Sequence, residues 1–161
     1  MKIWIDADAT PRDVKEIVFR AARRLAIETI LVANSRLQTP AGNPLVSAVE
    51  VAGGSDVADQ HIVAHATAGD LVVTQDIPLA ALLVPNQIVV LDPRGDEHTA
   101  ESIGERLSIR DFMEGMRGAG LVSGGPPPFD AKAKQAFASA LDRALTRLHR
   151  KSLEPTWKDP K

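Results

Sequence analysis

The sequence predicts an α/β fold: a three-layer α/β/α arrangement with a mostly parallel central sheet, closed by a C-terminal amphipathic helix. Three observations predict it. Short apolar runs are nearly continuous rather than alternating, helical periodicity fills the stretches between them, and acids stand where two of the runs end. Ile3-Trp4-Ile5 leads into Asp6-Ala7-Asp8, and the run 71–74 ends the same way at Asp76. Open α/β sheets bind ligands just beyond the carboxyl ends of their strands, so both acids belong to that crevice.

The elements follow in order. Residues 3–5 read as a buried strand, and 11–26 as a helix in which Val14, Ile17, Val18, Ala21 and Leu25 recur at helical spacing. Thr10 is placed to cap it, Pro11 suits its first position, and Asp13 completes a capping-box-like pair. Residues 29–33 and 46–51 are strands, separated by a loop carrying Pro40, Gly42 and Pro44. After Gly53-Gly54 a helix runs from about residue 56 to 67, and Gly69-Asp70 turns the chain into the strand 71–74. A short helix at 78–84 and a strand at 87–91 come next. Residues 99–117 read as two helical pieces with Ser108 as a cap between them. Gly118, Gly120, Gly124, Gly125 and the prolines 126–128 mark a loop. The last helix, 130–150, carries Ala136, Phe137, Ala140, Leu141, Ala144, Leu145 and Leu148 as a docking stripe.

At 161 residues the chain fits one domain, placed at 1–151 with the last helix docked, followed by a polar, proline-containing tail at 152–161 expected to be disordered. A net charge of −2 argues against broad electrostatic wrapping of nucleic acid. The absence of cysteine rules out disulfides and thiolate metal sites. No apolar run approaches the roughly 20 residues of a membrane span, and no signal sequence opens the chain. A cytoplasmic protein without a membrane partner is the expectation.

Asp59 joins Asp6 and Asp76 by a separate argument. On its helix it shares a face with Ile62, Val63 and Ala66, so its carboxylate is directed inward, which is costly unless it is paired or binds a cation. Asp56 lies one turn earlier on that face, and Asp8 can reach in from the first loop. Oxygen ligands without thiolates suit a hard cation, Mg²⁺ or Mn²⁺, and phosphoryl transfer is the natural chemistry of such a site. Each acid also has a plainer reading. Asp76 can cap the helix after it, Asp56 and Asp59 can form a capping box, and Asp8 can be a solvated loop residue.

Over residues 1–148 the chain resembles the YaiI/YqxD family of bacterial proteins. The resemblance is carried by Ile5-Asp6-Ala7-Asp8-Ala9 before Pro11, by Val32-Ala33-Asn34-Ser35, by Gly54 with Asp56 and Asp59, and by the run 69–80 from Gly69-Asp70 to Leu79-Ala80. Pro93-Arg94-Gly95, Arg110-Asp111-Phe112-Met113 and Gly124-Gly125-Pro126 complete it. Two departures stand out: Thr10 where the family commonly has cysteine, and Asp92 where asparagine is common. That family in turn resembles the PIN-like nucleases, metal-dependent ribonucleases on a parallel α/β fold. The narrower likeness lies in the strand ending at Asp6 and in Asp59-Gln60-His61-Ile62-Val63-Ala64 leading to Thr74-Gln75-Asp76. It implies Asp6, Asp59 and Asp76 as catalytic metal ligands, with Asp8 and Asp56 assisting directly or through water.

Asn34, Ser35 and Arg94, each after a strand, and Thr74, beside Asp76, are candidate substrate-binding residues, although Asn-Ser and Asp92-Pro93-Arg94-Gly95 are also ordinary turn chemistry and Thr74 can simply satisfy backbone groups. His61 and His65 stand four apart, a spacing found in zinc sites, but they lack a third ligand and read better as a solvated pair. Arg20, Arg23 and Arg24, and Arg143, Arg147, Arg150 and Lys151, form basic clusters without interleaved aromatic residues, so solvated helix faces are the preferred reading. Asp6-Ala7-Asp8-Ala9-Thr10 also fits the opening of haloacid-dehalogenase-like phosphatases, with Asp6 as nucleophile and Asp8 as general acid. Against that, no lysine stands between Lys15 and Lys132, and the Asp56 and Asp59 pair precedes Thr74. The expectation is a Mg²⁺- or Mn²⁺-dependent nuclease or phosphodiesterase acting on RNA or another nucleic acid; the alternative is a non-catalytic RNA- or nucleotide-binding module.

Overall fold

The structure, a computed structural model, describes residues 1–54, 56–120 and 129–152. Six strands form one sheet: β1 (Lys2–Asp6), β2 (Glu28–Ala33), β3 (Val46–Glu50), β4 (Leu71–Val73), β5 (Val89–Leu91) and β6 (Glu97–His98). Five helices accompany them: α1 (Arg12–Leu25), α2 (Val57–His65), α3 (Ile77–Leu83), α4 (Ile103–Gly118) and α5 (Ala131–Ser152). The strand order is β3-β2-β1-β4-β5-β6, with β1 to β5 parallel and β6 antiparallel. The chain winds outward from β1 to β3 and then returns to place β4 on the other side of β1. The carboxyl ends of β1 and β4 therefore flank the point where the winding reverses.

Successive side chains of a strand point to opposite faces, and the strands are apolar on both because helices cover both. Ile3, Ile5, Leu71 and Val73 pack under α1 and α5 against Val14, Val18, Phe137, Leu141 and Leu145. Trp4, Val32, Val72 and Val90 pack on the other face against Ala58 and Ile62 of α2 and Leu79 and Leu83 of α3. The expected α/β/α layering and docked last helix are thus present. Ala136, included in the expected stripe, is exposed.

Three local expectations are corrected. Thr10 does not cap α1, because its hydroxyl donates to the Asp6 carbonyl at 2.7 Å, and Asp13 reaches Lys134 of α5 at 3.5 Å instead of closing a capping box. Ser108 does not divide the helix after residue 99. Its hydroxyl donates back to the Gly104 carbonyl at 3.1 Å, four residues earlier, and α4 continues through it. The two-residue strand β6 was not anticipated. The expected glycine- and proline-rich loop falls mostly on 121–128, and the expected tail at 152–161 falls mostly on 153–161; both stretches lie outside the described residues. Among the described residues no helix is long and apolar enough to cross a membrane.

Candidate functional site

The sheet's reversal point is built from the last residue of β1 and the loop after β4. Asp6 is buried there, and Thr74, fully enclosed, donates its hydroxyl to Asp6 Oδ2 at 3.0 Å. The same Thr74 oxygen accepts the backbone N–H of Asp76 at 3.0 Å, so one hydroxyl fixes the spacing of both acids. Asp76 caps α3, accepting the Leu79 N–H on Oδ1 at 2.9 Å, with Pro78 in the first turn. The plain capping reading of Asp76 is therefore correct. It leaves the second oxygen of that carboxylate for other work.

The acids of α2 arrive from across the crevice. Asp56 precedes the helix in a left-handed conformation, φ 71°, and its side chain makes no capping bond, so the plainer capping-box alternative is not what the structure has. Aspartate tolerates that conformation better than most side chains. Asp59, in the first turn, is half-buried and faces Asp76. Asp56, Asp59 and Asp76 each offer a carboxylate oxygen, and these three oxygens lie within 4.8 Å of one another. Asp6 stands behind this trio, close enough to raise the pKa of Asp59 through its charge. Asp8 is directed elsewhere. It is exposed and accepts the backbone N–H of Asn34 at 2.7 Å, pinning the turn after β1 to the end of β2.

Crowding of carboxylates shows in their proton affinities. Burial pushes Asp59 up to about 7, with the hydrogen bond to Asp76 and the charges of Asp76, Asp6 and Asp56 adding to it. Burial also raises Asp6; the Thr74 hydrogen bond opposes this, and the charges of Asp76 and Asp8 reinforce it. A divalent cation seated among these carboxylates would relieve the same repulsion. The donors are all carboxylate oxygens, which fits Mg²⁺ or Mn²⁺ rather than a softer metal.

The remaining candidates are placed differently. Asn34 and Ser35 are exposed beyond β2. Arg94 lies in the turn between β5 and β6, with its guanidinium 5.9 Å from the centre of the Phe129 ring. His61 and His65 stack at 4.1 Å between ring centres, and both rings lie against Trp4. His65 Nδ1 is 2.8 Å from the His61 carbonyl, so packing accounts for the pair. Arg24 and Arg147 of the basic clusters are ion-paired with Asp142 and Glu97, as solvated helix faces allow. The cleft over the acids contains a cation the sequence reading did not select, Arg110 of α4. The motif Arg110-Asp111-Phe112-Met113 had carried family resemblance, but nothing in its pattern told which element α4 packs on. It packs on α3, beside the acids.

An α/β protein with an oxygen-only acidic cluster at the reversal point of its sheet is the class that fold and site define. Within that class the chain belongs to the YaiI/YqxD family: the family described as "Uncharacterized BCR, YaiI/YqxD family" matches residues 4–147. It is 55% identical over 148 residues to a UPF0178 protein of Myxococcus xanthus, covering 92% of this chain and 96% of that one. A UPF0178 protein of Cellvibrio japonicus is 53% identical, covering 91% and 97% of the two chains. One of Geobacter metallireducens is 57% identical, covering 93% and 96%. No solved structure matches the chain.

Proposed function

We propose that this chain is a PIN-like hydrolase of phosphodiesters, dependent on Mg²⁺ or Mn²⁺, with RNA or another nucleic acid as its substrate. One observation carries the reading: three carboxylates from two sides of the crevice converge, each offering an oxygen within 4.8 Å of the others. Asp56, Asp59 and Asp76 would hold the cation, with Asp6 behind them. When bound, the cation supplies charge neutralisation at a phosphate and lowers the pKa of a water.

The chain's own residues supply the preorganisation. Leu79 N–H and Thr74 hold Asp76 from two directions, and Thr74 also holds Asp6. Gln75 ties the loop after β4 to the loop after β1 by donating to the Ala9 carbonyl at 2.7 Å. Asp59 would have to be deprotonated to hold a cation there, so loading would be favoured as the pH rises. The phosphatase alternative is disfavoured by the same geometry, because Asp8, its general acid, faces the Asn34 N–H and Asp6, its nucleophile, is buried against Thr74.

Titration with Mn²⁺ followed by isothermal calorimetry tests the reading. Binding by the unsubstituted chain, lost in Asp59→Asn and in Asp76→Asn while both variants stay folded, is the expected result. Failure of the unsubstituted chain to bind Mn²⁺ at millimolar concentration rules the reading out.

A further inference from the structure

The cleft over the acids has a second wall that cation binding alone leaves without a role. Its volume is about 610 Å³, the size of a small-ligand pocket. Asp56, Asp59 and Asp76 line one side; Val63, Pro78 and Leu82 give an apolar side, and Arg110 closes it from α4. Leu82 is 59% exposed and Val63 is 37% exposed, so the apolar side faces solvent next to a charged cluster.

Arg110 is held in an informative way. Its guanidinium forks onto Glu114 one turn along α4, at 3.2 Å from Nη1 and 3.1 Å from Nη2, and Nη1 also reaches Asp111 at 3.3 Å. None of these partners belongs to the acid cluster. The two-point pair with Glu114 orients its guanidinium plane. With the acids and Arg110 lining the same cleft, a group with anionic oxygens there could meet a cation on the acid side and Arg110 on the other. The apolar side asks for a flat, weakly hydrated neighbour to that group. A phosphodiester and its adjoining nucleobase have both properties.

We infer that Arg110 positions the substrate phosphate in this cleft, and that Val63, Pro78 and Leu82 form the surface on which the adjoining base lies. The inference rests on the phosphodiester reading above. It makes α4, joined to the sheet through α3, part of the binding site.

The test uses the full chain, Mn²⁺, and a fluorescent phosphorothioate hexaribonucleotide read by anisotropy, with an abasic version alongside. Arg110→Gln is expected to weaken binding about 10- to 100-fold, the worth of a charge-assisted contact. Arg110→Lys is expected to recover part of that loss, and Mn²⁺ affinity is expected to stay the same or tighten slightly. Leu82→Ser is expected to weaken binding of the normal strand several-fold and to leave the abasic strand unaffected. A merely structural arginine would lower the melting midpoint without changing the affinity of the folded protein. Unchanged hexaribonucleotide affinity in Arg110→Gln, with Mn²⁺ binding intact, overturns this inference and leaves the hydrolase reading standing. An unsubstituted chain that binds no Mn²⁺ overturns both.

Discussion

Asp56 and Asp59 show how two acids on one helix come to serve a site instead of the helix itself. A non-glycine residue at φ 71° costs on the order of 1–2 kcal/mol, and Asp56 accepts that conformation while leaving its capping bond unmade. The carboxylate is thereby released toward Asp59 and Asp76. Replacing it by asparagine keeps the tolerance for this conformation and removes the charge, so Asp56→Asn is expected to lower Mn²⁺ affinity tenfold or more while shifting folding stability by less than about 0.5 kcal/mol. Calorimetry and urea unfolding on the same preparation decide it. Asp59 gives a sharper sign. Its folded pKa of about 7 lies above the ordinary 3.8, so across that interval the metal-free folded chain holds a proton the unfolded chain has released. Its contribution to stability is therefore full below pH 3.8 and is lost as the pH rises through 7. Asp59→Asn is expected to be more stable than the unsubstituted chain at pH 8 in EDTA, by about 0.5–2 kcal/mol, with the difference shrinking toward pH 4. A variant less stable at pH 8 would show that Asp59 is not the crowded acid described here. The inward face of Asp59 could be read from its helical spacing. The left-handed conformation of Asp56 could not, because Gly53-Gly54 announces a turn without saying which later residue will take positive φ.

At the scale of elements, the parallel strands were legible because burial on both faces leaves each an unbroken apolar run. The two misread caps share one cause: each hydroxyl bonds back to the carbonyl four residues earlier instead of forward to an N–H. Thr10 bonds to Asp6 and Ser108 to Gly104, so neither makes the expected cap. β6 escaped notice because two paired residues, Glu97 and His98, carry no periodicity. The turn before it depends on Gly95, at φ 97°, where a Cβ would lie 2.7 Å from the Ala136 carbonyl oxygen of α5. The neighbour is backbone and cannot give way cheaply. Gly95→Ala should therefore cost about 2–4 kcal/mol, combining the positive φ with overpacking, as measured by urea unfolding. A cost under half a kcal/mol would mean that the turn does not press on α5. At the opposite, amino-terminal ends of the strands Asp70 ties backbone and side chain together. Buried at the start of β4, it accepts the N–H groups of Lys2 and Thr67, the Trp4 indole N–H and the Thr67 hydroxyl, all within 3.3 Å. Asp70→Ala would strand those donors at a cost of about 2–4 kcal/mol, with Mn²⁺ binding by the folded fraction unaffected. A loss of metal affinity in the folded variant would contradict that division between the two ends of the strands.

Across the whole molecule, acids and a buried histidine give the pH dependence of folding two opposing parts. Asp6, Asp59 and Asp92 have raised pKa values, chiefly through burial, so each favours the metal-free folded chain on the acid side. His98 acts in the other direction. It is buried on β6, neither ring nitrogen has a hydrogen-bond partner among the described residues, and burial first, then the charge of Arg106, pushes its pKa below the usual 6.5. Asp92 and Asp96 pull it back only in part. An unfolded chain binds that proton more readily than the folded one, so the His98 contribution to stability is present above pH 6.5 and is lost as the pH falls through the folded pKa. The two parts partly cancel in the unsubstituted chain, and substitution separates them. His98→Leu removes an unpartnered polar ring and its titration together while nearly keeping its volume. It is expected to stabilise the chain by about 1–3 kcal/mol at pH 7.5, and by more at pH 5, where the histidine would otherwise drive unfolding by taking up a proton. Urea unfolding at both pH values, in EDTA, gives the comparison. An advantage that fails to grow on acidification would mean that His98 is not held neutral by its surroundings.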